Sequence, residues 1–195
     1  MRLVAAALVA AVSAAGWHGT ADRAGGYAIA VPSTWQVVPR STPALDALVK
    51  RLRDDKRTAL AYQYAQIAAV RKATHVVYPF QAFAWPAPGG RVVPDVTVKI
   101  DPLAAGATPA ALPRIARQIA KTLDAAPSAT AAPPVPRTLP AGAAQHVSGS
   151  TQVSKSVRSR FSLYLLIRGR KLYSITFRGP ATAAEAGILQ RFRFV

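Results

Sequence analysis

Three histidines, eight carboxylates and no cysteine are the whole stock of side chains that this 195-residue chain offers for metal, acid–base or thiol chemistry. A metal site on regular structure needs ligands at helical i, i+4 or close strand spacing, and His18, His75 and His146 never come that near one another. Asp95 and Asp101 share one face of a predicted strand with Lys99 between them. At about 3.3 Å per residue they stand about 20 Å apart, whereas two carboxylates acting on one glycosidic bond sit within roughly 10 Å. Ser148-Gly149-Ser150 lacks the glycine spacing of a nucleophile elbow, and no glycine-rich phosphate loop occurs. The sequence therefore assigns no catalytic residue, no metal ligand and no cofactor. It reads as a non-enzyme, with a hydrolase assembled from residues distant in sequence as the alternative.

What the chain does offer is positive charge: 25 Lys and Arg against eight acids, a net +17 at pH 7. Lys50, Arg51, Arg53, Lys56 and Arg57 form one cluster, Arg114, Arg117 and Lys121 a second, and Lys155, Arg158, Arg160, Arg168, Arg170, Lys171 and Arg178 crowd a C-terminal hairpin. Long-range attraction draws such surfaces to anionic polymers and lipid head groups, each residue adding on the order of 1 kcal/mol near an anionic membrane. Arg114, Arg117, Lys121, Arg158, Arg160, Arg168, Arg170 and Lys171 are the candidate anion or partner surface. The plain alternative is a set of solvated faces. Nucleic acid is the disfavoured partner, because base recognition interleaves aromatic with basic residues on an open surface. Phe161, Phe177 and Tyr173 read as core, leaving Tyr164 as the one aromatic on the side of Arg158, Arg160 and Arg168.

The elements that must carry these residues follow from periodicity. Tyr27, Ile29 and Val31 alternate in a short strand, Pro32 turns the chain, and extended structure resumes at Trp35. Thr42-Pro43 opens a helix whose Leu45, Leu48, Val49 and Leu52 form one apolar face. Leu60, Tyr64 and Ile67 continue that period after a charged break at Asp54–Arg57, as one bent helix or two short ones. His75–Trp85 reads as a strand ended by a Pro/Gly loop at 86–90, with His75 at its start as a structural residue rather than a ligand and Trp85 as a half-buried edge residue, an exposed contact being the alternative. Asp95–Asp101 alternates strictly. Thr108-Pro109 opens another helix with Leu112, Ile115, Ile119 and Leu123 inward. Ala125–Pro136 is a Pro/Ala-rich surface connection.

The C-terminal third predicts a hairpin. Phe161, Leu163, Leu165 and Ile167 share one face of the first strand and Tyr173, Ile175 and Phe177 one face of the second. Placing both sets on the same side of the sheet calls for a three-residue loop around Gly169. Tyr164 and Leu166 are apolar on the opposite face, which implies a sheet covered on both sides. The capping-box spacing Thr182 to Glu185 starts a last helix.

Arg2, the apolar run Leu3–Val12 and the small residues Ser13-Ala14-Ala15 have the anatomy of a secretory signal peptide. The run is shorter than the roughly 20 residues a membrane span needs. The expected organisation is a leader at 1–15, a flexible segment at 16–25 and one domain at 26–195. Without cysteine, no lipid anchor and no disulfide framework follow, so the protein is expected to be secreted or extracytoplasmic and held at the envelope by something other than a lipid.

Gly26-Tyr27-Ala28-Ile29-Ala30-Val31-Pro32-Ser33-Thr34-Trp35 resembles the Gly-aromatic-strand-Pro-x-x-Trp opening of PsbP-like domains. Leu139-Pro140-Ala141-Gly142, the strands at Tyr164–Arg168 and Leu172–Phe177, a short helix and Phe192-Arg193-Phe194 resemble their closing half. Within that group the sequence is most similar to the LpqN/LpqT-type exported proteins of actinobacterial envelopes. The resemblance implies an α+β fold, a central antiparallel sheet sandwiched between helices. It also implies a non-enzymatic accessory role, binding a partner protein at the envelope, and it carries no catalytic motif over. Charge-driven binding of anionic envelope polymers or lipid head groups is the second functional expectation.

Overall fold

A computed structural model of the chain describes residues 16–85, 92–105, 107–180 and 183–195. The expected leader at 1–15, the Pro/Gly loop at 86–90 and the cap residue Thr182 lie outside the described residues. In chain order the elements are strands β1 (Trp17–Asp22), β2 (Tyr27–Pro32) and β3 (Trp35–Val37), helices α1 (Thr42–Asp54) and α2 (Thr58–Thr74), then strands β4 (Phe80–Ala84) and β5 (Asp95–Pro102). After a 3-10 turn come α3 (Leu112–Asp124), β6 (Ala129–Ala131), β7 (Val135–Leu139), β8 (Gly142–Ser154), β9 (Val157–Arg168), β10 (Lys171–Arg178), α4 (Ala183–Arg191) and β11 (Arg193–Phe194).

The body is an antiparallel sheet in the order β3-β4-β5-β10-β9-β8-β6, with β7 also paired to β8. One face receives Val96, Val98, Leu166, Tyr173, Ile175 and Phe177, which pack against Tyr27, Ile29 and Val31 of β2 and Ile188, Leu189 and Phe192 of α4. Here β2 is the centre of a small sheet, β1-β2-β11. The opposite face is covered at one end by α1 and α2 against Phe83 and at the other by α3 against Val147, Phe161, Leu163 and Leu165. The fold is thus α+β with a central antiparallel sheet covered on both sides.

Local chemistry explains the helices. Ser41 caps α1, its Oγ accepting from the Ala44 N–H at 3.2 Å, and Leu45, Val49 and Leu52 are buried at the predicted spacing. The charged break separates two helices, because Lys56 takes a left-handed backbone, φ +58. Arg71 turns inward from α2 and donates from Nη1 to the carbonyls of Pro39 and Arg40, tying the helix to the segment that precedes α1. His75 ends α2 in a left-handed conformation and does not begin a strand. The strand expected over 75–85 is shortened to β4, and Trp85 follows it half-buried, edge-on to Phe83.

Three further expectations are corrected. The segment read as flexible forms β1, six residues antiparallel to β2. Trp17 anchors it: its ring lies against Gly187, where a Cβ would come within 2.5 Å, and the guanidinium of Arg191, one turn on in α4, stands 3.9 Å from the ring centroid. The Pro/Ala connection contributes β6 and the start of β7, both paired to β8. In the hairpin, Arg168 pairs with Lys171 and leaves only Gly169-Arg170 in the turn. Gly169, at φ +58, occupies the first central position as glycine does in a type II′ turn. Leu166 therefore faces the same side as Tyr173, and Ile167 the same side as Leu172. Phe161, Leu163 and Leu165 pack under α3, on the side away from Tyr173, Ile175 and Phe177.

Candidate functional site

The eight candidate residues divide among three places. Arg114, Arg117 and Lys121 are exposed on the outer side of α3. Arg158 and Arg160 sit near the start of β9, with Arg160 donating from Nη2 to Ser162 Oγ at 3.0 Å. Arg168, Arg170 and Lys171 gather at the β9–β10 turn, about 33 Å along the strand from Arg158 at 3.3 Å per residue. No single basic patch unites them.

The turn does build a site. An open groove of about 580 Å³ is bounded by Arg168, Arg170 and Lys171, by Pro102 and Leu103 at the end of β5, and by Gly26, Tyr173, Phe194 and Val195. Its geometry follows from long-range contacts. The Leu103 N–H donates to the Arg170 carbonyl at 2.9 Å and holds the chain after β5 beside the turn. Tyr173, almost wholly buried, donates its hydroxyl to the Gly25 carbonyl at 2.7 Å, and burial raises its pKa, so it stays a neutral donor. Lys171 Nζ donates to the Ala24 carbonyl at 2.9 Å. Together they clamp the β1–β2 turn to the hairpin. Gly26 has φ +78, a conformation favouring glycine, and a Cβ there would meet the Tyr173 hydroxyl at 3.3 Å.

The apolar wall continues the core. Phe194 meets Tyr173 edge-on with ring centroids 4.8 Å apart, Phe192 stands behind it at 5.6 Å, and Tyr27 stacks on Phe192 at 5.7 Å. The Arg168 guanidinium lies 5.8 Å from the Phe194 ring centroid, a cation–π arrangement that orients it. Because Lys171 is engaged with carbonyls, Arg168 and Arg170 are the cations the groove presents outward. Its arrangement suits an anionic group beside an apolar or aromatic one. Sequence reasoning placed the three cations at this hairpin but took Tyr173 as plain core and attached no role to Phe194. The aromatic-basic-aromatic run Phe192-Arg193-Phe194 was the available signal.

A second polar group lies on the same side of the sheet, farther along β8 and β9. His146 stacks on Tyr164 with centroids 4.5 Å apart, and the Tyr164 hydroxyl donates to Glu185 Oε1 at 3.1 Å. Tyr164, the one candidate aromatic for base stacking, thus has a ring face covered. Burial and the neighbouring Glu185 push its pKa up to about 12. Burial lowers that of His146, as do Arg137 and Arg160, with Glu185 opposing, and its buried Nε2 has no hydrogen-bond partner among the described residues. The remaining histidines are structural: His18 Nε2 contacts the Ser33 carbonyl at 3.0 Å and His75 caps α2. Asp95 and Asp101 are each taken up in an ion pair, with Arg178 and Lys99. Among the described residues no three His, Asp or Glu side chains converge as a metal ion would require, and no helix is long and apolar enough to cross a membrane.

The fold has solved counterparts. The chain superposes on cyanobacterial PsbP (CyanoP) from Synechocystis sp. PCC 6803 with a TM-score of 0.58 at 11% identity, covering 94% of this chain and 95% of that one. LpqN of Mycobacterium tuberculosis, involved in cell envelope biogenesis, is similar with a TM-score of 0.52 at 13% identity, over 92% of this chain and 91% of its own. No family model and no curated protein matches the sequence. At these identities the likeness establishes a PsbP-like fold.

Proposed function

We propose that this PsbP-like chain is an exported, non-enzymatic accessory protein of the cell envelope that binds a protein partner through the groove at the β9–β10 turn. The groove carries the reading: two outward arginines beside an aromatic wall, held by hydrogen bonds that cross most of the sequence. An acidic partner segment is steered in by charge and seats an apolar side chain against Phe194 and Leu103. The leader-like residues 1–15 supply the envelope location, and LpqN, of the same fold, is a protein of envelope biogenesis. Co-purification from envelope extracts tests it. The double variant Arg168→Glu/Arg170→Glu should lose partner capture by about tenfold or more, since reversing two charges at an interface costs several kcal/mol. Unchanged capture overturns the assignment.

A second reading, charge-driven binding of anionic envelope polymers or lipid head groups, is favoured by the spread of the cations over three separate places. It is separated by salt: polyanion binding weakens linearly in log salt with a slope set by the number of contacts, while a groove-bound partner is less steeply affected.

A further inference from the structure

The most cationic surfaces of this protein leave one long face without charge. From Thr58 to Val70, most of α2, no residue is charged. At about 100° per residue, Tyr62, Gln66, Ala69 and Ala73 fall in one stripe with Val70 at its edge, and all five are exposed. Among the described residues eight large apolar side chains are exposed, and four of them belong to α2 or the segment after it: Tyr62 at 61%, Val70 at 60%, Val76 at 40% and Val77 at 49%. Single exposed valines need no explanation, whereas four such side chains within sixteen residues, two on α2 and two just after it, mark a contact surface.

The surroundings indicate what it contacts. Beside the stripe, the cleft between α1 and α2 is floored by Ala65, Ala68 and Ala69 and rimmed by Lys50, Arg53 and Lys72. Lys50 and Lys72 are neutralised by Asp54 and Asp46. At the α1–α2 corner Arg51, Arg53, Lys56 and Arg57 have no ion pair among the described residues. The stripe itself is shallow and uncharged, with the short side chains of Ala69 and Ala73 and the amide of Gln66 beside Tyr62 and Val70. A shallow, uncharged stripe carrying a tyrosine, a residue enriched at membrane–water interfaces, with unpaired cations at its end complements an anionic membrane surface, where those cations reach the head groups.

We infer that the outer face of α2 is a membrane-contact surface. The helix lies flat on an anionic bilayer, with Tyr62 and Val70 in the interface and the corner cations among the lipid phosphates. This goes beyond the groove reading, shares with it only the envelope location, and fails independently of it. The test is co-sedimentation of the full chain with vesicles of phosphatidylglycerol and phosphatidylcholine in equal parts, alongside hydrogen–deuterium exchange of the bound protein. Tyr62→Ser/Val70→Ser leaves every charge in place and should weaken binding about tenfold, a partial loss of the transfer energy of two side chains. In the wild type, exchange should slow over α2 on the vesicles, while Arg168→Glu/Arg170→Glu keeps that protection. Undiminished binding of the serine variant overturns the inference, as does protection confined to the β9–β10 turn. So does α2 protection that arises without lipid as the protein concentration rises, which would mark a contact between copies of the chain.

Discussion

The groove at the β9–β10 turn and the outer face of α2 are both open to solvent, and they are built in opposite ways. In the groove the presented groups grow out of the core: Phe194 touches Tyr173 and Phe192, and the cations stand on a turn clamped by Tyr173 and Lys171. On α2 the exposed stripe lies on the side away from Leu60, Ala61, Tyr64 and Ala68, the residues that hold the helix. Stability and recognition are therefore entangled in the first region and separable in the second.

Substitutions can break or sharpen this contrast. The largest effect belongs to Phe192→Ala, which opens a cavity among Tyr27, Tyr173 and Phe194 and should cost about 3–5 kcal/mol in urea unfolding. A loss near zero would detach the groove from the core. Tyr173→Phe removes the donor to the Gly25 carbonyl and should cost about 1–3 kcal/mol. It should also speed hydrogen exchange over the β1–β2 turn without disturbing α2.

A smaller effect depends on pH and belongs to His146, faced by Tyr164, Glu185, Arg137 and Arg160. Its folded-state pKa is lowered from 6.5, first by burial, so as the pH falls the unfolded chain takes up the proton before the folded one. The contribution to stability is full above the ordinary imidazole value and is lost as the pH falls below it toward the lowered value. Unfolding midpoints measured between about pH 7 and about pH 5 should decline in the wild type and decline less in His146→Gln. Equal slopes would remove His146 from the account. The smallest effect is that of Tyr62→Ser, which should change stability by less than about 0.5 kcal/mol, and a larger loss would show that α2's outer face is part of the packing after all.

Much of the framework was legible in the residues. The spacing of Leu45, Val49 and Leu52 identified α1, and the inward row from Leu112 identified α3. Asp95–Asp101 declared itself a strand with Val96 and Val98 buried. Even the two-sided covering of the sheet could be read from the apolar residues on both faces of β9. That same feature hid the hairpin register, since a strand apolar on both sides satisfies burial in either register and only the turn geometry at Gly169 decides. β1 was invisible because Trp-His-Gly-Thr-Ala-Asp has no period, and its order comes from Trp17 seated on a helix near the other end of the chain. The groove was half legible: the cations clustered in sequence, while Gly26 and Phe194 reach them only through β2 and β11.

The linear chain by itself determined the compartment expectation, the charge, the absence of cysteine chemistry and the type of nearly every long element, because these depend on residue kinds and on periods within a few turns. The tertiary structure alone decided which cations stand together and which aromatic wall they share. It also decided which helix keeps a bare face, because those depend on register and on contacts between residues up to 174 positions apart, where local periodicity has no reach.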